Sequence, residues 1–385
     1  MKTFLKFFQD STYSRRVDVP GIADFVAGNP QEMAMPEYIE ALQKAVIPKD
    51  KNWFAYKMSE PEAQKVVAER LRTQFGAPFE PRDVFMTNAA FAGIASVLKA
   101  VVDPGDDVIY FAPPHFTYES MVLSVGANPV KVSTEPPDWD LDIERIRGAI
   151  TPKTRLVLVN TPQNPTGKIY PKATLIALAE LLTEASRRNG RTIYLMSDEA
   201  YHRLIFDDRE FPSPTLFYPA SFLIYSYGKQ LLAPGQRIGY IALPPGFPDR
   251  DAVEGALIAS QFVTGYAFPN ALLQHALVDL DHLSIDIKHL HSKRDLMIES
   301  LRSYGYEVHS PDATFYLMPK SPTPDDWEFS EWLAARDIFV LPGSMMDLPG
   351  YFRISLTASD EMIEKALPVF EEAFRFHSKV GSKDA

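Results

Sequence analysis

RLVLVN at residues 155–160, TIYLMSD at 192–198 and FLIYSY at 222–227 are the three apolar runs that decide the fold of this chain. They are apolar at consecutive rather than alternate positions, which is typical of strands buried on both faces. An amphipathic helix at about 172–189, ended by Gly190, separates the first two runs. Strands of this kind separated by helices predict an α/β fold with a mostly parallel sheet covered on both sides.

The same alternation of helix and strand extends outward over about residues 59–245. Ser59 and Glu62 predict a capping box for a helix that ends at Gly76. After about residue 268 the pattern changes to one long helical stretch reaching about 303, followed by short strands near 315–317 and 352–356 and helices near 328–336 and 359–377. We therefore predict a large domain at 45–265 and a smaller α+β domain formed by 1–44 and 266–385.

Composition excludes several classes of function. The net charge of −11 argues against nucleic-acid and anionic-membrane partners, because those surfaces repel an acidic protein. The absence of cysteine excludes disulfides, thiolate catalysis and cysteine-based zinc sites, and we predict no metal site. The N-terminus lacks a signal-peptide core, and no apolar run approaches the roughly 20 residues of a membrane span. A cytoplasmic location fits these features.

Polar signatures follow the apolar runs. They are NTPQNPTG at 160–167, DEAY at 198–201, SYGK at 226–229 and GQRIGY at 235–240. In open α/β sheets, ligands bind outside the carboxyl ends of the strands. We therefore expect a single site that contains the Lys229 amine and the Asp198 carboxylate.

In this order, and together with AGNP at 27–30 and FRIS at 352–355, these motifs resemble the class I/II aminotransferases, which are fold-type I enzymes dependent on pyridoxal 5′-phosphate (PLP). The resemblance covers nearly the whole chain. It implies a mostly parallel seven-stranded sheet covered by helices, with a smaller α+β domain. It also implies PLP as cofactor, an amino acid and a 2-oxo acid as substrates, and a homodimer with shared active sites.

The resemblance assigns roles around the reactive part of the cofactor. Lys229 is the Schiff-base lysine, and once displaced it acts as general base on the Cα proton. Asp198 keeps the ring nitrogen protonated, because a neighbouring carboxylate favours the cationic ring. Tyr201 and Asn164 hydrogen-bond the phenolic oxygen, and Asn164 also borders the substrate.

Other residues are assigned to the phosphate. Arg237 and Ser226 supply side-chain donors, and backbone N–H groups at Ala89 and Ala90 begin a helix whose positive end favours an anion. Tyr56 matches a tyrosine that reaches the phosphate bound in the neighbouring subunit.

The substrate side involves residues far apart in the chain. Arg353 grips the substrate carboxylate through two parallel hydrogen bonds, and Gly28 lets the backbone approach the substrate closely. Either His115 or Phe116 stacks on the cofactor ring, and the sequence leaves both open.

These assignments predict an aminotransferase that works by a ping-pong mechanism. Departures from the family pattern at Gly228, at 311–316 and at 345–347 leave open another PLP reaction, such as elimination, cyclisation or O₂-dependent oxidation. An inactive regulatory homologue is a further alternative. A nicotinamide enzyme fails because no GxGxxG motif follows an early strand.

Overall fold

A computed structural model describes residues 2–381. The strands are β1 (Ala23–Asp24), β2 (Val84–Thr87), β3 (Asp107–Ala112), β4 (Asn128–Ser133), β5 (Thr154–Asn160), β6 (Tyr194–Asp198), β7 (Ser221–Ser226), β8 (Gly239–Ala242), β9 (Tyr316–Leu317), β10 (Ile338–Phe339), β11 (Leu341–Pro342) and β12 (Phe352–Ser355). The helices are α1 (Lys2–Asp10), α2 (Thr12–Arg16), α3 (Pro36–Ala45), α4 (Pro61–Phe75), α5 (Ala89–Val101), α6 (Tyr118–Ser124), α7 (Ile143–Ala149), α8 (Lys172–Asn189), α9 (Tyr227–Gln230), α10 (Arg250–Val263), α11 (Ala271–Leu280), α12 (Ile287–Tyr304), α13 (Asp326–Ala334) and α14 (Asp360–Gly381).

Seven strands form the main sheet in the order β2-β8-β7-β6-β5-β3-β4. Strand β8 is antiparallel to both of its neighbours, and the remaining pairs are parallel. The prediction of a mostly parallel seven-stranded α/β sheet is therefore confirmed. Apart from the edge strand β4, the strands are buried almost throughout, because helices cover both faces.

The helix boundaries test the local sequence signals. Helices α4 and α8 end at Gly76 and Gly190, which adopt the left-handed conformation at φ 66° and 64°. The predicted capping box is wrong, because Glu60 is the N-cap of α4 and the Ser59 hydroxyl accepts a hydrogen bond from the Met86 N–H at 3.0 Å. The predicted long helix after 268 is two helices, α11 and α12.

A second layer is built mainly from the C-terminal part of the chain. It contains the antiparallel sheet β11-β12-β9, the parallel pair β1-β10 and a core shared with α12, α13 and α14. The N-terminal segment adds Phe7 and Tyr13 to a small cluster with Phe339. Helices α3 and α11 instead pack against the main sheet, and the domain boundaries at 45 and 265 stay a prediction.

Within residues 2–381, no helix has both the length and the apolar character needed to cross a bilayer. The same residues contain no group of three or more histidine or acidic side chains arranged to hold a metal ion.

Candidate active site

The carboxyl ends of β5, β6 and β7 lie side by side, because these strands are parallel neighbours in the sheet. Strand β5 ends at Asn160, β6 at Asp198 and β7 at Ser226. Asn160 and Asp198 are direct register partners. The sheet therefore brings the polar signatures at 160–167, 198–201 and 226–229 to one edge.

Asp198 is a buried carboxylate at the centre of this edge. Its Oδ2 accepts a hydrogen bond from the Tyr118 hydroxyl at 2.6 Å, and its Oδ1 accepts one from the Ala200 N–H at 3.2 Å. Burial raises the pKa of Asp198, while these two hydrogen bonds and the charge of Lys229 act in the opposite direction. A cationic group placed next to this carboxylate would therefore be strongly favoured.

Lys229 lies in α9, directly after β7. Its Nζ is 5.6 Å from the centroid of the Tyr201 ring and 5.8 Å from that of Phe315. The preceding residue, Gly228, has little space around it, since a Cβ there would lie 3.0 Å from the Cα of Pro234. The glycine that departs from the family pattern is thus explained by close packing of the following loop.

Arg353 connects the second layer to this edge. Its Nη2 donates to the Val26 carbonyl at 2.8 Å, and its Nη1 donates to Asn164 Oδ1 at 3.1 Å. The guanidinium carbon lies 4.0 Å from the ring centroid of Tyr316. The buried Nε has no partner, and no carboxylate among residues 2–381 pairs with this guanidinium. A buried cation in this state is suited to an anionic ligand.

Two buried tyrosines join Lys229 to Arg353. The Tyr201 hydroxyl accepts from Asn164 Nδ2 at 3.4 Å and donates to Tyr316. Burial raises the pKa of Tyr201 well above its ordinary value. Burial also acts to raise the pKa of Tyr316, but Arg353, Lys229 and the bond from Tyr201 outweigh it and lower that pKa.

Gly28 packs its backbone against the same aromatic pair. A Cβ at this position would lie 2.5 Å from a ring carbon of Phe315 and 2.8 Å from the Tyr316 hydroxyl. Such distances are far inside van der Waals contact, so this close approach requires glycine.

The amino end of α5 lies beside β8 and the turn that precedes it. Ala89 has φ +65°, a strained conformation for a residue with a Cβ, and a Cβ at Gly239 would lie 3.0 Å from the Ala89 Cα. Arg237 is exposed, and its guanidinium carbon is 6.0 Å from the Phe91 ring in the first turn of α5. The Ser226 hydroxyl makes no hydrogen bond within the part of the chain that is described. Ala90 is buried next to Ala89.

The half-buried rings of His115 and Phe116 lie together, with centroids 4.3 Å apart in a stacked arrangement. Burial, with the charges of Lys229 and Arg353, lowers the pKa of His115 to about 3, so the ring is neutral and faces the two cations. Tyr56 lies elsewhere. It is 86% exposed, and its ring packs against Phe268 with centroids 4.9 Å apart.

Three contributors to this site were not assigned a role from the sequence. They are Tyr118, which binds Asp198 across 80 positions of chain, Tyr316, which lies under Arg353, and Asn160, whose Nδ2 donates to the Asp198 carbonyl at 2.9 Å. Each carried a sequence signal without a role: Asn160 ends an apolar run, Tyr118 matches a tyrosine of the family pattern three residues after His115, and Tyr316 ends the family segment at 311–316.

Comparison with known proteins identifies the family. The family described as aminotransferase class I and II matches residues 20–370. The chain belongs to this family. It is 32% identical over 374 residues to a probable aspartate/prephenate aminotransferase of Thermus aquaticus, covering 94% of this chain and 93% of that one. It is 30% identical over 368 residues to the aspartate/prephenate aminotransferase of Thermus thermophilus, covering 92% and 91%.

Solved structures agree. An amino transferase from Eubacterium rectale matches with a TM-score of 0.89 at 27% identity, covering 98% of both chains. Thermus thermophilus aspartate aminotransferase, solved with maleate, matches with a TM-score of 0.82 at 28% identity, covering 94% of this chain and 95% of that one. This chain is therefore a PLP-dependent aminotransferase of fold type I, as the sequence predicted.

The described residues fit the cofactor. A buried carboxylate for the ring nitrogen, an amine for the aldehyde and an unused hydroxyl for the phosphate lie at one sheet edge, at Asp198, Lys229 and Ser226. The amino end of α5, beside Arg237, is a second place for the phosphate.

Proposed function

We propose that this aminotransferase acts on an α-amino acid and a 2-oxo acid, with Lys229 as the attachment point of the cofactor and as the base that moves the substrate proton. One observation carries the proposal. Lys229, Asp198 and Arg353 lie near one another and are connected through Tyr201 and Asn164. The Arg353 guanidinium has no carboxylate partner among residues 2–381.

The bound cofactor supplies an electron sink for the pair left when the Cα proton departs. Asp198 favours the protonated ring nitrogen, and the Tyr118 hydroxyl keeps that carboxylate oriented. Tyr201 and Asn164 lie where they can bind the phenolic oxygen. Arg237, Ser226 and the backbone N–H groups at Ala89 and Ala90 would hold the phosphate.

Substrate orientation is the proposed role of Arg353. Its guanidinium is fixed by Val26 and Asn164 before any ligand arrives, so little rotamer freedom remains to be lost on binding. Its unpaired Nε–H and its remaining N–H groups can donate hydrogen bonds to a substrate carboxylate. Gly28 provides the close backbone approach, and His115, which is neutral and faces the cleft cations, is proposed to stack on the cofactor in preference to Phe116.

We also propose a homodimer with shared active sites. Tyr56 packs on Phe268, which in turn packs on Phe262, and these two phenylalanines are 38% and 52% exposed, so the three rings form an exposed apolar patch. A second copy would cover this patch and receive Tyr56 at its phosphate. Sedimentation should give a dimer, and Tyr56→Phe should weaken PLP retention without changing the dimer. A monomer would refute this part.

The relatives suggest the substrates to test first. The Thermus proteins are named for aspartate and prephenate, so we propose a dicarboxylic donor or acceptor within amino-acid biosynthesis in the cytoplasm. A panel of amino donors and 2-oxo acids should give ping-pong kinetics. Oxo-acid release without any acceptor, continuing beyond one per site, would instead favour elimination or O₂-dependent oxidation. No reaction with any donor would favour the inactive homologue.

A further inference from the structure

A buried polar network lies immediately behind Lys229. Arg203 follows Tyr201 by two residues, and Gln230 directly follows Lys229. Arg203 Nη1 donates to Gln230 Oε1 at 2.9 Å and to Asp281 Oδ1 at 3.1 Å, and Nη2 donates to the same Asp281 oxygen at 3.1 Å. One guanidinium therefore touches the residue beside Lys229 and a carboxylate at the end of α11.

Asp281 also binds α9, the short helix that contains Lys229. The Tyr227 hydroxyl donates to Asp281 Oδ1 at 2.8 Å, and Gln230 Nε2 donates to the Asp281 carbonyl at 2.9 Å. Helix α9 has only 4 residues, far too few to be stable by itself. The residues on both sides of Lys229 are therefore fixed by what they bind, and both bind Asp281.

In this network two arginines, Arg203 and Arg70, share the single carboxylate of Asp281. The side chains of Arg203 and Asp281 are 11% and 7% exposed, and Arg70 Nε donates to the second Asp281 oxygen at 2.8 Å. Burial acts to raise the pKa of Asp281, but Arg203, Arg70 and the Tyr227 hydroxyl outweigh it, so the pKa is lowered and the carboxylate stays charged. Buried pairs of this kind add little net stability over apolar packing, and in some proteins they specify geometry.

We infer that Arg203 and Asp281 are positioning residues that set the separation between the Asp198–Tyr201 turn and Lys229. Arg203 lies two residues beyond the end of this turn, and Lys229 is joined to the Arg203 guanidinium through the neighbouring Gln230. This inference rests on the proposed roles of Lys229 and Asp198. Among residues 2–381, no hydrogen bond or ion pair joins Arg203 or Asp281 to Lys229 itself.

The test compares two arginines at opposite ends of β6. Arg203→Met removes the bridge beside Lys229. Arg191→Met is the matched control, because Arg191 makes a two-pronged pair with Asp106, at 2.7 and 3.0 Å, before the strand begins. Both variants should lose thermal stability. Only Arg203→Met should speed hydrogen exchange of the amides at 227–231 in cofactor-free protein and lower kcat about 100-fold, as expected for a displacement near 1 Å.

Two milder variants keep the test decisive if Arg203→Met fails to fold. Gln230→Met leaves the Arg203–Asp281 pair and the Tyr227–Asp281 bond intact and removes only the link that runs through residue 230, so exchange at 227–231 should still rise, though less than in Arg203→Met. Arg203→Lys keeps the charge and should restore part of the protection. If Gln230→Met and Arg203→Lys both matched wild type in exchange and in kcat, the inference would be wrong.

Exchange in the cofactor-free protein separates this inference from the proposed function. Wild-type protein that binds no PLP at Lys229 would refute the proposed function whatever the amides do. A wild-type enzyme with normal PLP attachment, whose Arg203 and Gln230 variants show unchanged exchange at 227–231, would refute the positioning role alone.

Discussion

Replacing Arg353 by lysine tests how the substrate carboxylate is recognised. The change keeps a positive charge but removes the planar fork that Val26 and Asn164 hold in place. A hydrogen bond between charged groups contributes about 1.5–3 kcal/mol, and each 1.36 kcal/mol is about tenfold in rate. Loss of one such bond therefore predicts a fall in kcat/KM of roughly tenfold to a hundredfold for the best amino acid of the panel.

The assay follows the cofactor spectrum in single-turnover mixing with the amino acid and, separately, with the amine that lacks its carboxylate. Arg353→Lys should slow the reaction of the amino acid and leave the much slower reaction of the amine nearly unchanged, because the amine has no carboxylate for the guanidinium to bind. Arg294→Lys is the control, since Arg294 is equally buried, at 5% exposure, but pairs with Asp207 outside the cleft. Equal loss for amino acid and amine would refute carboxylate recognition by Arg353.

Three further outcomes are expected. Tyr118→Phe removes the 2.6 Å hydrogen bond to the Asp198 carboxylate, so it should raise the pKa of Asp198 further and lower kcat about tenfold. An unchanged pH profile of the cofactor absorbance would contradict this. Gly28→Ala should lower the free energy of unfolding by about 1–3 kcal/mol, because the new Cβ would lie 2.5 Å from a ring carbon of Phe315. The control Gly148→Ala should not lower it, because the space around Gly148 is open. Equal melting temperatures for the two variants would refute the packing argument. Burial raises the pKa of Glu199 to about 8, whereas the same group in the unfolded chain has a pKa of about 4.3. Between these two pH values the folded protein keeps a proton that the unfolded chain has released. The free energy of unfolding should therefore fall as pH rises, by at most about 1.4 kcal/mol per pH unit. Denaturant titrations of Glu199→Gln should show a flatter pH dependence, and an identical slope would contradict the assignment.

The location of the site could be predicted because parallel strands end at a common edge. Asn164, Asp198 and Lys229 each follow an apolar run, and the sheet order places those runs next to one another. The helix ends at Gly76 and Gly190 were also predictable, because glycine adopts the left-handed conformation that ends a helix without steric strain.

Other features depend on contacts that no local pattern encodes. Ser59 has the residue type of a cap, but its hydroxyl is taken by Met86 on the neighbouring strand β2. Ala89 adopts φ +65°, which sequence would assign to glycine, because tertiary packing beside Gly239 outweighs the local strain. The bond from Tyr118 to Asp198 crosses too much chain for spacing to reveal.

The central claim is that one amine, Lys229, carries the cofactor. The most direct measurement reduces the PLP-loaded protein with borohydride, digests it and locates the phosphopyridoxyl group by mass spectrometry. The group should be found on Lys229 and be absent from the Lys229→Ala protein. Its presence on another lysine, or its absence from wild-type protein that still transaminates, would contradict the account.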